Sequence, residues 1–152
     1  MVSARGWASP SEPVADGPGR LPVLLVVEDE VPNRALLRAV LSRSPNATIR
    51  RSRIVEAATL TEARARLAGD PPDVVLLDVR LPDGSGLDLA RELHLRPSGD
   101  RPAILVLSAS VLRMDRAAAE EAGADAFLAK PYDTAELIDV LAGLLAARGL
   151  VD

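Results

Sequence analysis

The sequence contains no cysteine, a single histidine and few aromatic residues among its 152 positions. The absence of cysteine excludes disulfide bonds, thiolate metal sites and cysteine nucleophiles, and it suits a reducing compartment, so we expect a cytoplasmic protein. Hydrophobic residues make up 48% of the sequence, but only one Trp, one Tyr and one Phe are among them. The core must therefore be built almost entirely from aliphatic side chains.

Long apolar stretches and an excess of positive charge are also missing. The strongest apolar run, residues 21–27, is far shorter than the roughly 20 residues that cross a bilayer, so we expect no membrane insertion. With 18 basic and 22 acidic residues the net charge is −4, which does not favour direct binding to nucleic acid. Residues 1–20 lack the apolar run of a secretory signal, and their composition predicts a disordered leader.

From residue 21 onward, short apolar runs alternate with helical patterns. The predicted strands are residues 21–27, 50–57, 73–78, 103–108 and 126–129, and the predicted helices are residues 31–42, 59–67, 87–95, 114–122 and 133–147. Continuous apolar runs are typical of parallel strands that are buried on both faces, whereas the polar second run suits a sheet edge. Five βα units predict one α/β domain over residues 21–149, with a doubly wound parallel sheet and a short tail at residues 150–152.

Polar and charged residues follow the strands at their carboxyl ends, which is where open α/β sheets bind ligands. Glu28 and Asp29 follow the first strand, Asp78 ends the third, Ser108 ends the fourth and Lys130 follows the fifth. Three neighbouring carboxylates repel one another unless a cation lies between them, and Mg²⁺ prefers oxygen ligands. Each residue alone is more often a helix cap or a solvated loop residue. Their joint occurrence at four strand ends indicates a site for phosphoryl chemistry on an aspartate.

Four segments, in this order, resemble the successive motifs of bacterial response-regulator receiver domains. They are LLVVEDE (24–30), VVLLDVRLPDGSGLDL (74–89), LVLSAS (105–110) and AFLAKPYD (126–133). The resemblance covers residues 21–148 and implies a flavodoxin-like fold, with strand order 2-1-3-4-5 and five helices. The stretch 42–53 is longer than the family's usual link into the second strand, and we expect an enlarged loop there.

The resemblance implies a role for each residue at the strand ends. Asp78 is the expected phosphoacceptor, with Lys130 and Ser108 as its partners in catalysis. The expected Mg²⁺ ligands are the side chains of Glu28, Asp29 and Asp78 and the backbone carbonyl of Arg80, with Mn²⁺ as the alternative cation. Glu28 stands where many members have Asp, which adds one methylene of reach, and we expect metal binding to survive this change.

The resemblance also implies a conformational switch formed by Ser108 and Phe127. The Ser108 hydroxyl is expected to bind the phosphoryl group and to vacate space that Phe127 enters. Phe127 has no hydroxyl, so its inward position would be stabilised by burial alone. Pro131 is expected to follow a cis peptide bond.

The implied function is that of a signalling phosphoacceptor in a two-component or phosphorelay system, not of an enzyme with turnover. The expected partners are a histidine kinase or histidine phosphotransfer protein as donor, a downstream protein target, and a second copy in a phosphorylation-dependent homodimer. One alternative is a pseudo-receiver that binds proteins without phosphorylation. Another is a haloacid-dehalogenase-like phosphatase, which would need a DxD pattern where this chain has DVR. A P-loop protein is excluded because the sequence has no GxxxxGKS/T motif.

No recognisable output segment follows residue 148. The leader that begins at Met1 and the end after Val151 favour a complete stand-alone receiver, and a receiver cut from a longer protein is the alternative.

Overall fold

The computed structural model describes residues 20–109 and 113–150, so the predicted leader lies outside the described residues apart from Arg20. The main strands are β1 (Val23–Val27), β2 (Arg53–Ala57), β3 (Val74–Asp78), β6 (Ala103–Ser108) and β7 (Ala126–Ala129), and two short strands are β4 (Arg80–Leu81) and β5 (Gly84–Ser85). The helices are α1 (Val31–Ser42), α2 (Ala47–Arg50), α3 (Leu60–Ala68), α4 (Gly86–His94), α5 (Arg113–Glu121) and α6 (Thr134–Ala147), with a 3₁₀ turn at Ser98–Asp100. No helix in these parts of the chain is both long and apolar enough to cross a membrane.

The five main strands form one parallel sheet in the order β2-β1-β3-β6-β7. This is the predicted order 2-1-3-4-5, with β4 and β5 set aside as a separate antiparallel hairpin. Alternate side chains of each strand enter opposite layers of the core, so Leu24 and Val26 pack in one layer and Leu25 and Val27 in the other. The carboxyl ends of β1, β3 and β6 consequently meet at one edge of the sheet.

The predicted loop at residues 42–53 is wrong in one respect, because it contains the short helix α2. The side chain of Asn46 accepts a hydrogen bond from the backbone N of Ile49 (3.1 Å) and caps this helix. Ile49 is fully buried in the core. The structure therefore has one α-helix more than predicted. The second strand, predicted to begin at residue 50, begins at Arg53 because Arg50 belongs to this helix.

Asp73, just before β3, joins three parts of the chain at the edge of the sheet opposite the strand-end acids. Its carboxylate accepts hydrogen bonds from the Arg20 guanidinium (2.8 and 3.0 Å) and from the backbone N of Val23 (2.8 Å). Arg148 Nε lies 3.9 Å from the same carboxylate. Burial alone would raise the pKa of Asp73, but the hydrogen bonds and the charges of both arginines outweigh burial and lower this pKa.

Replacing Asp73 with Asn should lower the free energy of unfolding by about 2 kcal/mol at neutral pH, as expected for hydrogen bonds to a charged group. The folded-state pKa lies below the unfolded value near 3.8. The carboxylate therefore stabilises the fold above that pH, and the stabilisation is lost as the pH falls through the folded-state pKa.

Urea unfolding of the wild type and Asp73→Asn measures this effect at neutral pH and near pH 3, where the difference should shrink. Asp139→Asn, at an exposed position of α6, is the control and should match the wild type at both pH values. A deficit in Asp73→Asn that stays the same at both pH values would contradict the prediction.

Candidate functional site

Three carboxylates lie together where β1 and β3 end. Glu28, Asp29 and Asp78 each offer a carboxylate oxygen, and these oxygens all lie within 4.8 Å of one another. The register of the two strands accounts for this, since Val27 pairs with Leu77 and the next residues, Glu28 and Asp78, emerge side by side. The structure thus brings together the three acids that the strand ends suggested.

Glu28 is held from both its backbone and its side chain, and it is only 2% exposed. Its backbone N donates to the carbonyl of Ala57 (3.0 Å), and its own carbonyl accepts from Arg34 Nη1 (2.7 Å). Its Oε2 accepts from the backbone N of Glu30 (3.1 Å), and its Oε1 accepts from Lys130 Nζ (3.0 Å). These contacts fix the buried carboxylate in one place at the edge of the sheet.

Lys130 bridges two of the three acids. Its Nζ lies 3.0 Å from Glu28 Oε1 and 3.3 Å from Asp78 Oδ2. Its backbone N donates to the carbonyl of Ser108 (2.6 Å), and its peptide bond to Pro131 is cis, as the resemblance implies. Burial would lower the pKa of Lys130, but the hydrogen bond to Glu28 and the charges of both carboxylates outweigh burial and raise it. The ammonium therefore stays charged at neutral pH.

Ser108 and Phe127 lie on the neighbouring strands β6 and β7. Ser108 is the last residue of β6 and is 3% exposed, and it pairs in register with Ala129. Phe127 is half-buried, and the guanidinium carbon of Arg116 on α5 lies 4.8 Å from the centroid of its ring. A cation over an aromatic face at this distance is attractive. The arginine therefore covers the ring of the residue predicted to be the switch aromatic.

Arg80 belongs to the hairpin that leaves the end of β3. Its backbone N donates to Asp78 Oδ1 (3.3 Å), and it pairs with Ser85 across the β4-β5 hairpin. The hairpin closes onto the strand end, since the backbone N of Gly86 donates to the carbonyl of Val79 (2.7 Å). Arg80, whose backbone carbonyl is predicted to bind metal, thus lies in a hydrogen-bonded hairpin next to Asp78.

The donors in this cluster suit a hard divalent cation. The cluster has three carboxylates and one ammonium, so its acidic groups outnumber its basic ones. All the candidate ligands are oxygens, and the three carboxylates lie close enough together to hold one ion. Mg²⁺ prefers such oxygen donors and is commonly held by one or two carboxylates.

Three residues that contact the framework of the site were not predicted from the sequence. Arg34 contacts the carbonyl of Glu28 and also Glu56, Arg116 covers Phe127, and Asp83 accepts hydrogen bonds from the start of α3. Asp83 lies in the stretch LPDGSG (81–86), for which the sequence predicts neither strand nor helix, and no spacing in the sequence signals the two arginine contacts.

Comparison with known proteins gives a consistent result for this chain. Residues 24–142 match the family model of the response regulator receiver domain. The KDP operon transcriptional regulatory protein KdpE of Escherichia coli is 37% identical over 114 residues, which are 75% of this chain and 47% of that protein. The response regulator MprA of Mycobacterium ulcerans is 38% identical over 130 residues, which are 85% of this chain and 52% of that protein. The chain therefore spans about half the length of these relatives.

Two solved structures of similar fold are 30% and 29% identical in sequence to this chain. The receiver domain of a sensor histidine kinase from Pseudomonas aeruginosa superposes with a TM-score of 0.69 and 30% identity, covering 84% of this chain and 98% of that one. That structure has a magnesium ion coordinated in its active site cleft. A response regulator from Chloroflexus aurantiacus gives a TM-score of 0.75 and 29% identity, covering 84% of this chain and 99% of the other.

Proposed function

The chain belongs to the response regulator receiver domain family, and we propose that its Asp78 accepts a phosphoryl group in a two-component or phosphorelay pathway. One observation carries this proposal: Lys130 Nζ lies 3.0 Å from Glu28 and 3.3 Å from Asp78, within a cluster of three carboxylates. An anionic phosphoryl group needs a cation beside its acceptor, and the ammonium is already there. The protein would act as a signalling phosphoacceptor that assists its own phosphorylation and dephosphorylation.

The Asp78 carboxylate is held in place by one contact at each of its oxygens. Oδ1 faces the backbone N of Arg80, and Oδ2 faces Lys130 Nζ. In the proposed step an Asp78 oxygen forms a bond to phosphorus while the bond from phosphorus to the imidazole nitrogen of a phosphohistidine breaks, and the imidazole takes up a proton. The Lys130 ammonium offsets negative charge on the phosphoryl oxygens during transfer.

The side chains of Glu28, Asp29 and Asp78, together with the backbone carbonyl of Arg80, would hold Mg²⁺, or Mn²⁺ in its place. The bound cation would neutralise part of the charge on the phosphoryl oxygens. The Glu28 side chain is buried, and each of its two carboxylate oxygens accepts a hydrogen bond. It would therefore bind the cation from a fixed position.

Ser108 and Phe127 would convert phosphorylation into a change of surface. Ser108 would donate its hydroxyl hydrogen to a phosphoryl oxygen of Asp78, and Phe127 would enter the space vacated by this movement. The change would alter the face formed by α5, β7 and α6, to which Phe127 contributes from β7. We propose that a downstream protein target, or a second copy of the chain, binds this face.

The proposed donor is a histidine kinase or a histidine phosphotransfer protein, and the proposed compartment is the cytoplasm. Both curated relatives named above are regulators about twice as long as the segment they share with this chain. The described residues contain the receiver unit alone, so we assign no direct nucleic-acid contact to them.

Incubating the protein with acetyl phosphate and Mg²⁺ should add one phosphoryl group, seen by intact-mass spectrometry. Chelation of the metal with EDTA should abolish the addition, because the carboxylates then lack the counter-charge that the transfer requires. Hydroxylamine should release the phosphate, since it cleaves acyl phosphates but not phosphate esters of serine or threonine.

A chain that gains no phosphate under these conditions would contradict the proposal. The phosphorylation-independent binding module would then become the favoured function. Addition that hydroxylamine does not reverse would equally exclude an aspartyl phosphate.

A further inference from the structure

Asp83 joins the loop after Asp78 to the first turn of helix α3. Its Oδ1 accepts a hydrogen bond from the backbone N of Leu60 (2.8 Å). Its Oδ2 accepts from both the backbone N (3.0 Å) and the hydroxyl (2.9 Å) of Thr61. The first N–H groups of a helix have no acceptor within the helix itself. A carboxylate that lies 22 and 23 positions away along the chain supplies acceptors for two of them.

Helix α3 also carries its own cap, which does not involve the loop. Thr59 Oγ1 accepts from the backbone N of Glu62 (3.0 Å), and Glu62 Oε1 accepts from the backbone N of Ala58 (2.8 Å). This local arrangement is close to a capping box. The helix end is thus stabilised by two sets of contacts, one local and one from Asp83. Only the second set involves the loop after Asp78.

Apolar contacts bring the same hairpin against α3. A Cβ atom placed on Gly84 would lie 2.9 Å from Leu60 Cδ1, so the turn backbone is already in close contact with that side chain. Leu81 and Leu60 are both buried and belong to the same layer of the core. The hairpin therefore rests on the start of α3 through one carboxylate and a small apolar contact.

Asp83 occupies the turn of the hairpin whose first strand carries Arg80. Arg80 pairs with Ser85 and Leu81 pairs with Gly84. The hydrogen bonds that hold Asp83 in the turn therefore also hold strand β4 in position. The hydrogen bonds, led by that from Leu60, keep the pKa of Asp83 below its ordinary value, and its charge complements the positive end of the helix dipole.

We propose that Asp83 is a positioning residue of the phosphorylation site. By holding the β4-β5 hairpin on α3, it fixes the backbone carbonyl of Arg80 beside the carboxylates of the site. It acts through that carbonyl and not by contact with the phosphoryl group. The inference rests on the proposed function, in which this carbonyl is a ligand of Mg²⁺.

The test compares Asp83→Ala with Thr59→Ala in Mg²⁺ affinity, measured by calorimetric titration of the whole protein. Both variants remove acceptors from the same helix end, but only Asp83→Ala releases the hairpin. Asp83→Ala should weaken Mg²⁺ binding by about tenfold, as is typical when an outer-shell partner of a metal ligand is lost. Thr59→Ala should stay within about twofold of the wild type. Asp83→Asn keeps one carbonyl oxygen that can accept from the backbone N of Leu60. Its Mg²⁺ affinity should therefore lie between those of Asp83→Ala and Thr59→Ala.

Two further measurements separate positioning from capping. The rate of phosphorylation by acetyl phosphate should fall in Asp83→Ala and not in Thr59→Ala. Hydrogen exchange should become faster in residues 79–86 of Asp83→Ala only. Where Asp83→Ala fails to fold, Asp83→Asn provides the same comparison with Thr59→Ala.

Equal Mg²⁺ affinities in the wild type and both variants would overturn the inference, as would an equal loss in the two variants, because Asp83 would then only cap a helix. In either case a phosphorylated wild type leaves the proposed function standing. A wild type that binds no Mg²⁺ and accepts no phosphate would overturn both proposals together.

Discussion

Replacing Asp78 with Asn should abolish phosphate incorporation from acetyl phosphate, while Asp88→Asn should leave it at the wild-type level. Asn has nearly the size of Asp, but its amide is not an anionic nucleophile and forms no stable acyl phosphate. Asp88 is the matched control because it is an exposed aspartate in the first turn of α4, where it forms an ion pair with Arg91. Intact-mass spectrometry of the three proteins after equal incubation gives the answer.

The loss in Asp78→Asn should not arise from unfolding. Lys130 keeps its contact with Glu28, and the strand residues that precede Asp78 are buried and apolar. The thermal unfolding curve of the variant should therefore stay cooperative, while its Mg²⁺ affinity falls because one carboxylate ligand is lost.

Phosphate found in Asp78→Asn at the wild-type level would refute the assignment of the acceptor. Glu28 and Asp29 are the rivals, since their carboxylate oxygens lie within 4.8 Å of those of Asp78. Peptide mapping of any residual label separates them, because they lie about 50 positions away along the chain.

The doubly wound parallel sheet could be predicted because its central strands are apolar up to their last residues, whereas the strand order 2-1-3-4-5 followed from the family resemblance. The apolar runs in β1, β3 and β6 are buried on both faces of the sheet, which is typical of parallel strands covered by helices. Right-handed crossovers then restrict the topology, which the structure confirms.

The sequence did not predict α2, and the reason is physical. Its residues ATIR include β-branched Thr48 and Ile49, which favour strands in isolation. The helix forms because Asn46 caps it and because Ile49 fills a place in the core, and both depend on the finished tertiary structure. Local preference was overridden by packing in this segment.

The acids of the site could be placed together from the sequence because parallel strands deliver their carboxyl ends to one edge. The contacts of Glu28 and Asp78 with Lys130 follow from the same rule, since β7 lies in the same sheet. The supporting residues could not be found in this way. Arg116 reaches Phe127 from a helix face, and Asp83 reaches Leu60 from a turn, so both contacts depend on how elements dock. The chemical roles of the site residues remain predictions for the experiments above.

Replacing Gly86 with Ala should lower the free energy of unfolding by about 3 kcal/mol and should also slow phosphorylation of Asp78. A Cβ atom at this position would lie 2.0 Å from the backbone oxygen of Asp78 and 3.1 Å from Leu77 Cγ. The oxygen belongs to the main chain at the end of a central strand, so no side-chain rotation can relieve the overlap. Either the first turn of α4 or the end of β3 has to move.

Gly143→Ala is the matched control, because the same substitution at this position should raise the free energy of unfolding. Gly143 lies within helix α6, where an added Cβ would meet nothing within 4 Å. Ala is favoured over Gly inside a helix, so this variant should gain about 0.5–1 kcal/mol. Urea unfolding of both variants beside the wild type measures the two shifts, which should differ in sign.

The phosphorylation rate shows whether the strain at Gly86 reaches Asp78, the proposed phosphoacceptor. Gly86 also donates its backbone N–H to the carbonyl of Val79, the residue that links Asp78 to the hairpin. Movement at residue 86 should therefore displace both Asp78 and Arg80, and misplacement of about 1 Å can cost about 100-fold in rate. Gly143→Ala should keep the wild-type rate. Should Gly86→Ala match Gly143→Ala in both stability and rate, the close approach of α4 to the end of β3 would have no part in holding Asp78.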